Sequence, residues 1–230
     1  MKSAKLLLSA LLLLVGITAC YDDYTHDYEG ADMGFAVAKP LRTVISDRDM
    51  NIYVGVAIGG KREIDMNDWA KFTIDPSWLE GTGKTLLPAN YYTLADAEYF
   101  RVRKSNSPVA DVGITFTNLF YEDSRCLTDY YALPFRMTEN SMNAIREGAE
   151  TCVAVIKYIS TYAGTYYRMG NVTEVDAGGN PVGEPVSYGN TKDIIKCATA
   201  TFKTMEPRVV VCPGVGDKLE TVGSLTLTMD

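Results

Sequence analysis

Residues 52–60 read IYVGVAIGG, and this stretch decides the fold class. Val54, Val56 and Ile58 stand at every second position, with smaller or more polar residues between them. A period of two places these three side chains on one face of an extended chain. Gly59-Gly60 ends the run with a turn signal. The stretch therefore predicts a β-strand with one well-packed face.

Similar short runs, rich in β-branched and aromatic residues, continue on both sides of this strand. They cover residues 33–38, 41–46, 71–74, 90–94, 99–103, 112–117, 130–137 and 151–160. Residues 141–147, which Gly148 follows, allow one or two helical turns, and no long amphipathic helical pattern appears. Strands at this spacing predict a mainly β protein whose first domain, residues 31–160, is a β-sandwich.

The second domain begins after a boundary near residues 158–162 and covers residues 161–230. Its strand candidates start at Gly164, form a hairpin whose tip is Gly178-Gly179, and continue at 198–204, 208–211 and 224–228. A two-layer β domain usually needs more than these 70 or so residues to bury a core. We therefore expect a small or truncated antiparallel β domain.

The N-terminus carries the features of a lipoprotein signal. Lys2 and Lys5 precede a nearly unbroken apolar run over residues 6–17, which is shorter than the roughly 18 residues that span a bilayer. The run ends in Ile17-Thr18-Ala19-Cys20, which resembles the lipobox of bacterial lipoproteins. The sequence thus predicts a signal peptide over residues 1–19 and lipidation of Cys20, whose acyl chains would anchor the protein to a membrane.

Residues 20–30 are acidic, rich in tyrosine and without an aliphatic run, which is typical of a flexible tether. Acidic residues soon after the lipidated cysteine resemble the surface-export signal of Bacteroidetes lipoproteins. Tyr21 stands where the inner-membrane retention signal of other Gram-negative bacteria has aspartate. We therefore expect a lipid-anchored outer-membrane protein that faces the cell surface.

The net charge limits the classes of partner that are expected, and the cysteine positions limit the disulfides and the zinc or redox sites that are possible. The net charge of the full chain is −7, and loss of Lys2 and Lys5 takes it to −9, so a nucleic-acid partner is not expected. Cys126, Cys152, Cys197 and Cys212 remain besides Cys20; they allow three disulfide pairings, and the sequence does not choose between them. The apolar run around Cys152 favours a buried free thiol there. The sequence contains no CxxC motif, so a zinc-ribbon or thioredoxin-like site is not expected.

The chemistry of the folded part argues against catalysis. The only histidine, His26, lies in the tether, which leaves no Ser-His-Asp or Cys-His arrangement and few zinc ligands. Gly83-Lys84-Thr85 resembles the end of a phosphate-binding loop, but Trp78 stands where that loop needs its first glycine. The acidic pairs Asp65/Asp68 and Asp96/Glu98 are interpreted as solvated loop residues. No enzyme activity, metal or cofactor is expected.

Aromatic residues are the remaining candidates for ligand contact, because 15 tyrosines and 2 tryptophans are present. Tyrosine and tryptophan can stack on the apolar face of a sugar while their polar atoms form hydrogen bonds. Adjacent residues of a strand point to opposite faces, so one ring of each Tyr-Tyr pair is expected in the core. The candidate ligand-binding residues are Trp69, Trp78, Tyr91, Tyr92, Tyr130 and Tyr131.

Several separate stretches resemble one known family in order: YDDY at 21–24, AKPLRTV at 38–44, VGVAIGGKRE at 54–63, LPANYYTL at 87–94, and VIKYI at 155–159. Over about residues 25–160 they resemble the DUF1735 domain of Bacteroidetes surface lipoproteins. The segment from GTYY at 164–167 resembles the start of a DUF4361-type C-terminal domain and stops early compared with that family. The resemblance implies an immunoglobulin-like β-sandwich in proteins of glycan-uptake systems.

Three functions follow from these observations. The first is non-catalytic binding of a polysaccharide or oligosaccharide at the cell surface, in contact with an outer-membrane uptake complex. The alternative is a structural spacer or docking module for a partner protein or a further domain. An enzyme, such as a glycosidase with two carboxylates across a cleft, is the least favoured.

Overall fold

The computed structural model describes residues 30–48, 51–214 and 223–230. These residues form seventeen strands, one short α-helix, α1 (Asn118–Glu122), and four 3-10 helices at Pro76–Leu79, Ala89–Tyr91, Ser124–Leu127 and Ile194–Lys196. The strands are β1 (Asp32–Gly34), β2 (Leu41–Ile45), β3 (Ile52–Gly59), β4 (Trp69–Ile74), β5 (Thr85–Leu86), β6 (Tyr92–Leu94), β7 (Tyr99–Val102), β8 (Val109–Phe116), β9 (Tyr131–Asn140), β10 (Ala144–Ile145), β11 (Thr151–Ile159), β12 (Gly164–Tyr167), β13 (Gly170–Val175), β14 (Pro181–Tyr188), β15 (Thr199–Glu206), β16 (Val209–Pro213) and β17 (Ser224–Thr228).

The first eleven strands of the described chain join in one curled, mostly antiparallel sheet with the order β10-β1-β3-β8-β7-β4-β9-β11-β2. β5 pairs with β9, and β6 pairs with β8. β7 is hydrogen-bonded to both β4 and β8. It therefore connects the half of the sheet that contains β10, β1, β3 and β8 with the half that contains β4, β9, β11 and β2. Side chains from both halves enter one buried cluster. The mainly β fold with sandwich-like layers is therefore confirmed.

Strand β3 shows why this sequence folds as it does. Ile52, Val54, Val56 and Ile58 are all buried, whereas Tyr53 between them is 40% exposed. Burial of an aliphatic side chain of this size contributes about 1.5–3 kcal/mol. The alternation therefore selects one register, because a shift by one residue would expose the whole apolar face.

The rings of three phenylalanines fill the core across β4, β7 and β9. The ring centroids of Phe72 and Phe100 lie 4.4 Å apart, and those of Phe72 and Phe135 lie 5.3 Å apart. The Phe35 ring packs edge-on against Phe100 from the opposite half, at 5.7 Å. This cluster holds the two halves of the curled sheet together.

The helical turns expected over residues 141–147 are wrong. Ala144–Ile145 instead form the short strand β10, which pairs in parallel with β1. The Asn143 amide donates to the Ala31 carbonyl, and the Arg146 amide donates to the Met33 carbonyl. These backbone groups are satisfied by a neighbouring strand, so no helix is needed.

The chain after β11 forms a smaller β unit, with a four-stranded sheet of order β12-β15-β16-β17 and a separate hairpin of β13 and β14. The expected tip at Gly178-Gly179 lies between the two hairpin strands. Ala200, Val210 and Cys212 are buried in this unit, but Val182 and Val186 of the hairpin are 54% and 65% exposed. The smaller unit thus has fewer buried side chains than the sandwich.

The turn between β15 and β16 joins the two units. The hydroxyl groups of Ser46 and Ser160, both buried, donate to the Pro207 carbonyl at 3.0 and 2.6 Å. The Ser160 amide donates to Thr204 Oγ1 at 2.9 Å. These bonds hold residues 204–207 against the end of the sandwich.

The structure does not test the predictions made for the N-terminus. The signal peptide, the Cys20 lipidation site and most of the acidic tether lie outside the described residues. Within the described ranges, no helix has the length and apolar character needed to cross a bilayer.

Candidate ligand-binding cleft

A cleft of about 920 Å³ opens where the β15–β16 turn meets the sandwich. Its walls come from four separate parts of the chain: the segment after β2, the end of β8 with α1, the end of β11, and residues 205–207. Pockets that hold small ligands have volumes of roughly 300–1,000 Å³ and often lie between structural units. The cleft has the size and position of a binding site.

Aromatic side chains form one wall of the cleft. Phe116, Tyr121 and Tyr158 line it, and the rings of Tyr121 and Tyr158 meet edge to face at 5.3 Å. The Tyr158 hydroxyl donates to the Tyr121 carbonyl at 3.0 Å. Burial raises the pKa of Tyr158 to about 12, so this phenol stays neutral. The ring contact and the hydrogen bond hold Tyr158 against the segment that carries Tyr121.

Polar side chains surround this wall. Asn51, Thr115, Asn118 and Ser124 line the cleft with hydroxyl and amide groups. The Thr115 hydroxyl donates to the Asn51 side-chain oxygen at 3.1 Å, which fixes one of these amides. The combination of an aromatic wall with several donors and acceptors suits a ligand that has both apolar faces and hydroxyl groups.

Asp123 organises the loop that supports the cleft. Its carboxylate accepts hydrogen bonds from Arg125, from the Tyr131 hydroxyl at 2.8 Å and from the Tyr91 hydroxyl at 3.1 Å. The side-chain bonds from Arg125, above all, hold the pKa of Asp123 well below its usual range. The carboxylate also caps the 3-10 helix Ser124–Leu127, which begins at a residue of the cleft.

Comparison with known proteins gives the family of the first unit. The DUF1735 family model, described as an N-terminal domain, matches residues 28–144, just over half of the chain. The chain belongs to the DUF1735 family. The predicted DUF4361-type C-terminal domain is not confirmed. Comparison with curated proteins finds no match.

Solved structures of Bacteroides proteins are similar to this chain. A structural-genomics protein of unknown function from Bacteroides ovatus has a TM-score of 0.66 at 19% identity, over 88% of this chain and 73% of that one. A multidomain protein including DUF1735, also from Bacteroides ovatus, has a TM-score of 0.44 at 12% identity, over 87% and 68%. An auxiliary nutrient binding protein from Bacteroides thetaiotaomicron has 0.45 at 11%, over 84% and 67%. The first of these supports the fold alone.

None of the six aromatic residues predicted as ligand contacts lines the cleft of this DUF1735 protein. Trp69 lies on β4, where its ring packs edge-on against Tyr99 at 5.4 Å. The Arg101 guanidinium lies 4.8 Å from the centre of the Tyr99 ring and also pairs with Asp96. Trp69 therefore belongs to a packed surface array rather than to an open stacking platform.

The other five predicted residues are divided between core and surface. Tyr131 is buried, while its neighbour Tyr130 is 37% exposed, as the alternation of a strand requires. Tyr91 and Tyr92 are half-buried against the core, and burial raises the pKa of Tyr92. Trp78 is 47% exposed on the 3-10 helix Pro76–Leu79. No single surface collects these rings, and their role in binding stays a prediction.

The acidic pairs considered in the sequence take part in local ion pairs. Asp68 is buried and bonded to Lys61 Nζ at 2.7 Å, so the interpretation of this residue as solvated is wrong. Asp96 is bonded to Arg101 at 2.8 Å. In residues 30–48, 51–214 and 223–230, no group of three metal-ligating side chains is found.

The four cysteines of the folded part are buried and free in the structure. Burial raises the pKa of both Cys126 and Cys152 to about 12. The expectation of a buried free thiol at Cys152 agrees with this arrangement. Neither thiol has the lowered pKa that a nucleophilic cysteine requires.

Proposed function

We propose that this protein is a non-catalytic, lipid-anchored outer-membrane protein that binds a saccharide in the cleft between the sandwich and the β15–β16 turn. The observation that carries the proposal is the lining of the cleft, where Phe116 and Tyr121 stand beside Asn51 and Asn118. Sugars offer apolar CH faces to aromatic rings and hydroxyl groups to amides and carboxylates.

Binding is favoured over hydrolysis by the surroundings of the carboxylates. Glu122 and Glu206 both line the cleft, and a glycosidase needs two carboxylates across such a cleft. Both residues are exposed, whereas the acid of a glycosidase is held in an apolar pocket. The proposal therefore assigns these carboxylates to ligand contact rather than to proton transfer.

The sequence supplies the cellular part of the proposal. The segment Ile17-Thr18-Ala19-Cys20 resembles a lipobox, and the acidic residues after it resemble a surface-export signal. Acyl chains on Cys20 would hold the cleft at the membrane surface, where an uptake complex could receive the bound glycan.

The test is affinity electrophoresis of the chain 21–230, which retains every described residue, in gels that contain neutral and acidic polysaccharides. We expect retardation by at least one glycan, and at least fivefold weaker binding after Asn118→Ala, because this amide faces the cleft. Trp69→Ala and Trp78→Ala are matched controls outside the cleft and should bind as the wild type does. Retardation that is lost in the tryptophan variants but kept in Asn118→Ala would overturn the location of the site.

A docking role is the second candidate, and one observation favours it. Val182, Val186 and Ile195 of the smaller unit are 54%, 65% and 77% exposed. Exposed apolar groups of this kind are frequent at protein interfaces. If folded protein is retarded by no glycan, saccharide binding is rejected and this docking role becomes the better explanation.

A further inference from the structure

The charges of the cleft point to the class of saccharide. Four charged residues line it among the residues that the structure describes: Asp47, Arg48, Glu122 and Glu206. Their arrangement is informative because a charge that is already paired contributes little to ligand selection, whereas an unpaired charge acts directly on a ligand.

Of the first two charges, only Asp47 is paired with an opposite charge, whereas Arg48 is bonded to a neutral hydroxyl. Asp47 Oδ2 accepts a hydrogen bond from Arg208 Nε at 2.9 Å, so its charge is neutralised across the junction of the two units. Arg48 Nε donates to Thr161 Oγ1 at 3.0 Å, which turns its guanidinium toward the start of the smaller unit.

Glu122 and Glu206 are different. They come from separate elements, α1 and β15, and both are exposed at the cleft. Neither carboxylate has a hydrogen bond or an ion pair within the described ranges. The cleft thus presents two uncompensated negative charges against the single cation Arg48.

We propose that this cleft selects neutral saccharides and rejects those that carry uronate or sulfate groups, with Glu122 and Glu206 as the selecting residues. The inference rests on the proposed saccharide binding. A carboxylate accepts two hydrogen bonds, so each glutamate can hold neighbouring hydroxyls of a neutral sugar. An anionic sugar would meet two like charges and only one opposite charge, that of Arg48, so the net electrostatic effect disfavours its binding.

The net charge of −7 for the chain acts in the same direction at longer range. This general effect would slow the approach of any polyanion to any part of the surface. The specific effect of the two glutamates can be separated from it, because removal of two charges changes the total only slightly while it removes both unpaired charges of the cleft.

The test compares amylopectin, galactomannan, laminarin and xyloglucan with the same polymers after oxidation of C6 to uronate, at low ionic strength. We expect wild-type protein to bind the oxidised form of its preferred glycan at least tenfold more weakly. In the Glu122→Gln/Glu206→Gln variant the ratio of the affinities for the neutral and the oxidised form should fall at least fivefold, because glutamine removes the charge; the affinity for the neutral form itself should also fall, since both side chains contact the ligand. Glu98→Gln, which removes an exposed carboxylate outside the cleft, is the matched control and should recover nothing.

The outcomes separate this inference from the function on which it rests. Equal retardation of the wild type by the neutral and oxidised forms would overturn charge selection and leave saccharide binding intact. Recovery by Glu98→Gln to the same degree as by the double variant would assign the selection to overall charge and overturn the role of the cleft glutamates. Absence of retardation by every polymer would overturn both proposals.

Discussion

At the scale of single residues, Asp123 combines more interactions than any residue that the sequence pointed to. Its carboxylate is bonded to one guanidinium and two phenols, and its own side chain is only 10% exposed. A carboxylate bonded in this way stabilises the folded state only while it is charged. Its effect should therefore depend on pH.

We expect Asp123→Asn to lower the free energy of unfolding at pH 7 by about 1–3 kcal/mol, because charged hydrogen bonds to Arg125 are lost. The folded-state pKa of Asp123 lies below the unfolded value of about 3.9, so the contribution is complete above that value, declines below it, and is lost as the pH falls through the folded-state pKa. Urea unfolding at pH 7 and pH 3 measures this difference.

The control for this prediction is Asp129→Asn, which removes an exposed carboxylate that pairs with Lys84. Its effect on stability should be much smaller than that of Asp123→Asn. An equal cost of Asp123→Asn at both pH values would show that the charge of Asp123 has no part in the stability.

At the scale of secondary-structure elements, the short strand β7 has an importance beyond its four residues. It pairs with β4 on one side and β8 on the other. Phe100 projects from it into the core and contacts Phe35, Phe72 and Phe135, while Tyr99 lies on the opposite face. Packing through Phe100 therefore stabilises both halves of the curled sheet.

We expect Phe100→Ala to lower the free energy of unfolding by about 3–5 kcal/mol, because it leaves a cavity in the centre of a phenylalanine cluster. Tyr99→Ala is the matched control on the same strand and should cost less than half as much, since Tyr99 is only half-buried. Urea unfolding followed by tyrosine and tryptophan fluorescence measures both variants. Similar losses for the two variants would contradict the assignment of the core face of β7.

At the scale of the whole molecule, the cleft depends on how the smaller unit is held against the sandwich. Ser46 and Ser160 lie at the ends of β2 and β11, and both donate to the Pro207 carbonyl. The ion pair of Arg208 with Asp47 crosses the same junction. These polar contacts hold the part of the cleft wall that comes from residues 205–207.

We expect the Ser46→Ala/Ser160→Ala variant to loosen residues 204–208, because the Pro207 carbonyl loses both donors. Hydrogen exchange of these backbone amides should become at least tenfold faster, a change of about 1.4 kcal/mol in the free energy of local opening. Ser187→Ala removes a serine hydrogen bond from the β13–β14 hairpin and should leave exchange at 204–208 unchanged. Unchanged exchange in the double variant would show that other contacts hold the junction.

Particular residues show how much of the fold could be predicted from the sequence. Val54, Val56 and Ile58 show their buried face in the sequence, because burial on a strand has a period of two. Tyr130 and Tyr131 could be separated into exposed and buried positions as a pair, but the sequence could not say which was which. The turns expected over 141–147 were wrong because the partner of β10 is a strand more than 100 residues earlier in the chain.

The cleft itself was missed for a related reason. Its walls come from residues 46–48, 51, 115–124, 158 and 205–207, and no local pattern connects these parts of the chain. The predicted contacts were tryptophans and paired tyrosines, whereas the aromatic wall consists of Phe116, Tyr121 and Tyr158. Single asparagine and glutamate residues around it resemble any solvated loop.

The sequence by itself determined the mainly β class, the core face of the principal strands and the membership of the DUF1735 family, because these depend on local alternation and on stretches that are continuous in the chain. It also supplied the lipoprotein prediction at Cys20, which rests on a short contiguous motif. The tertiary structure alone decided where a ligand could bind, how Asp123 is satisfied and which carboxylates stay unpaired at the cleft. These properties arise from contacts between residues far apart in the chain, and the curled sheet and the polar junction at Pro207 are what bring those residues together.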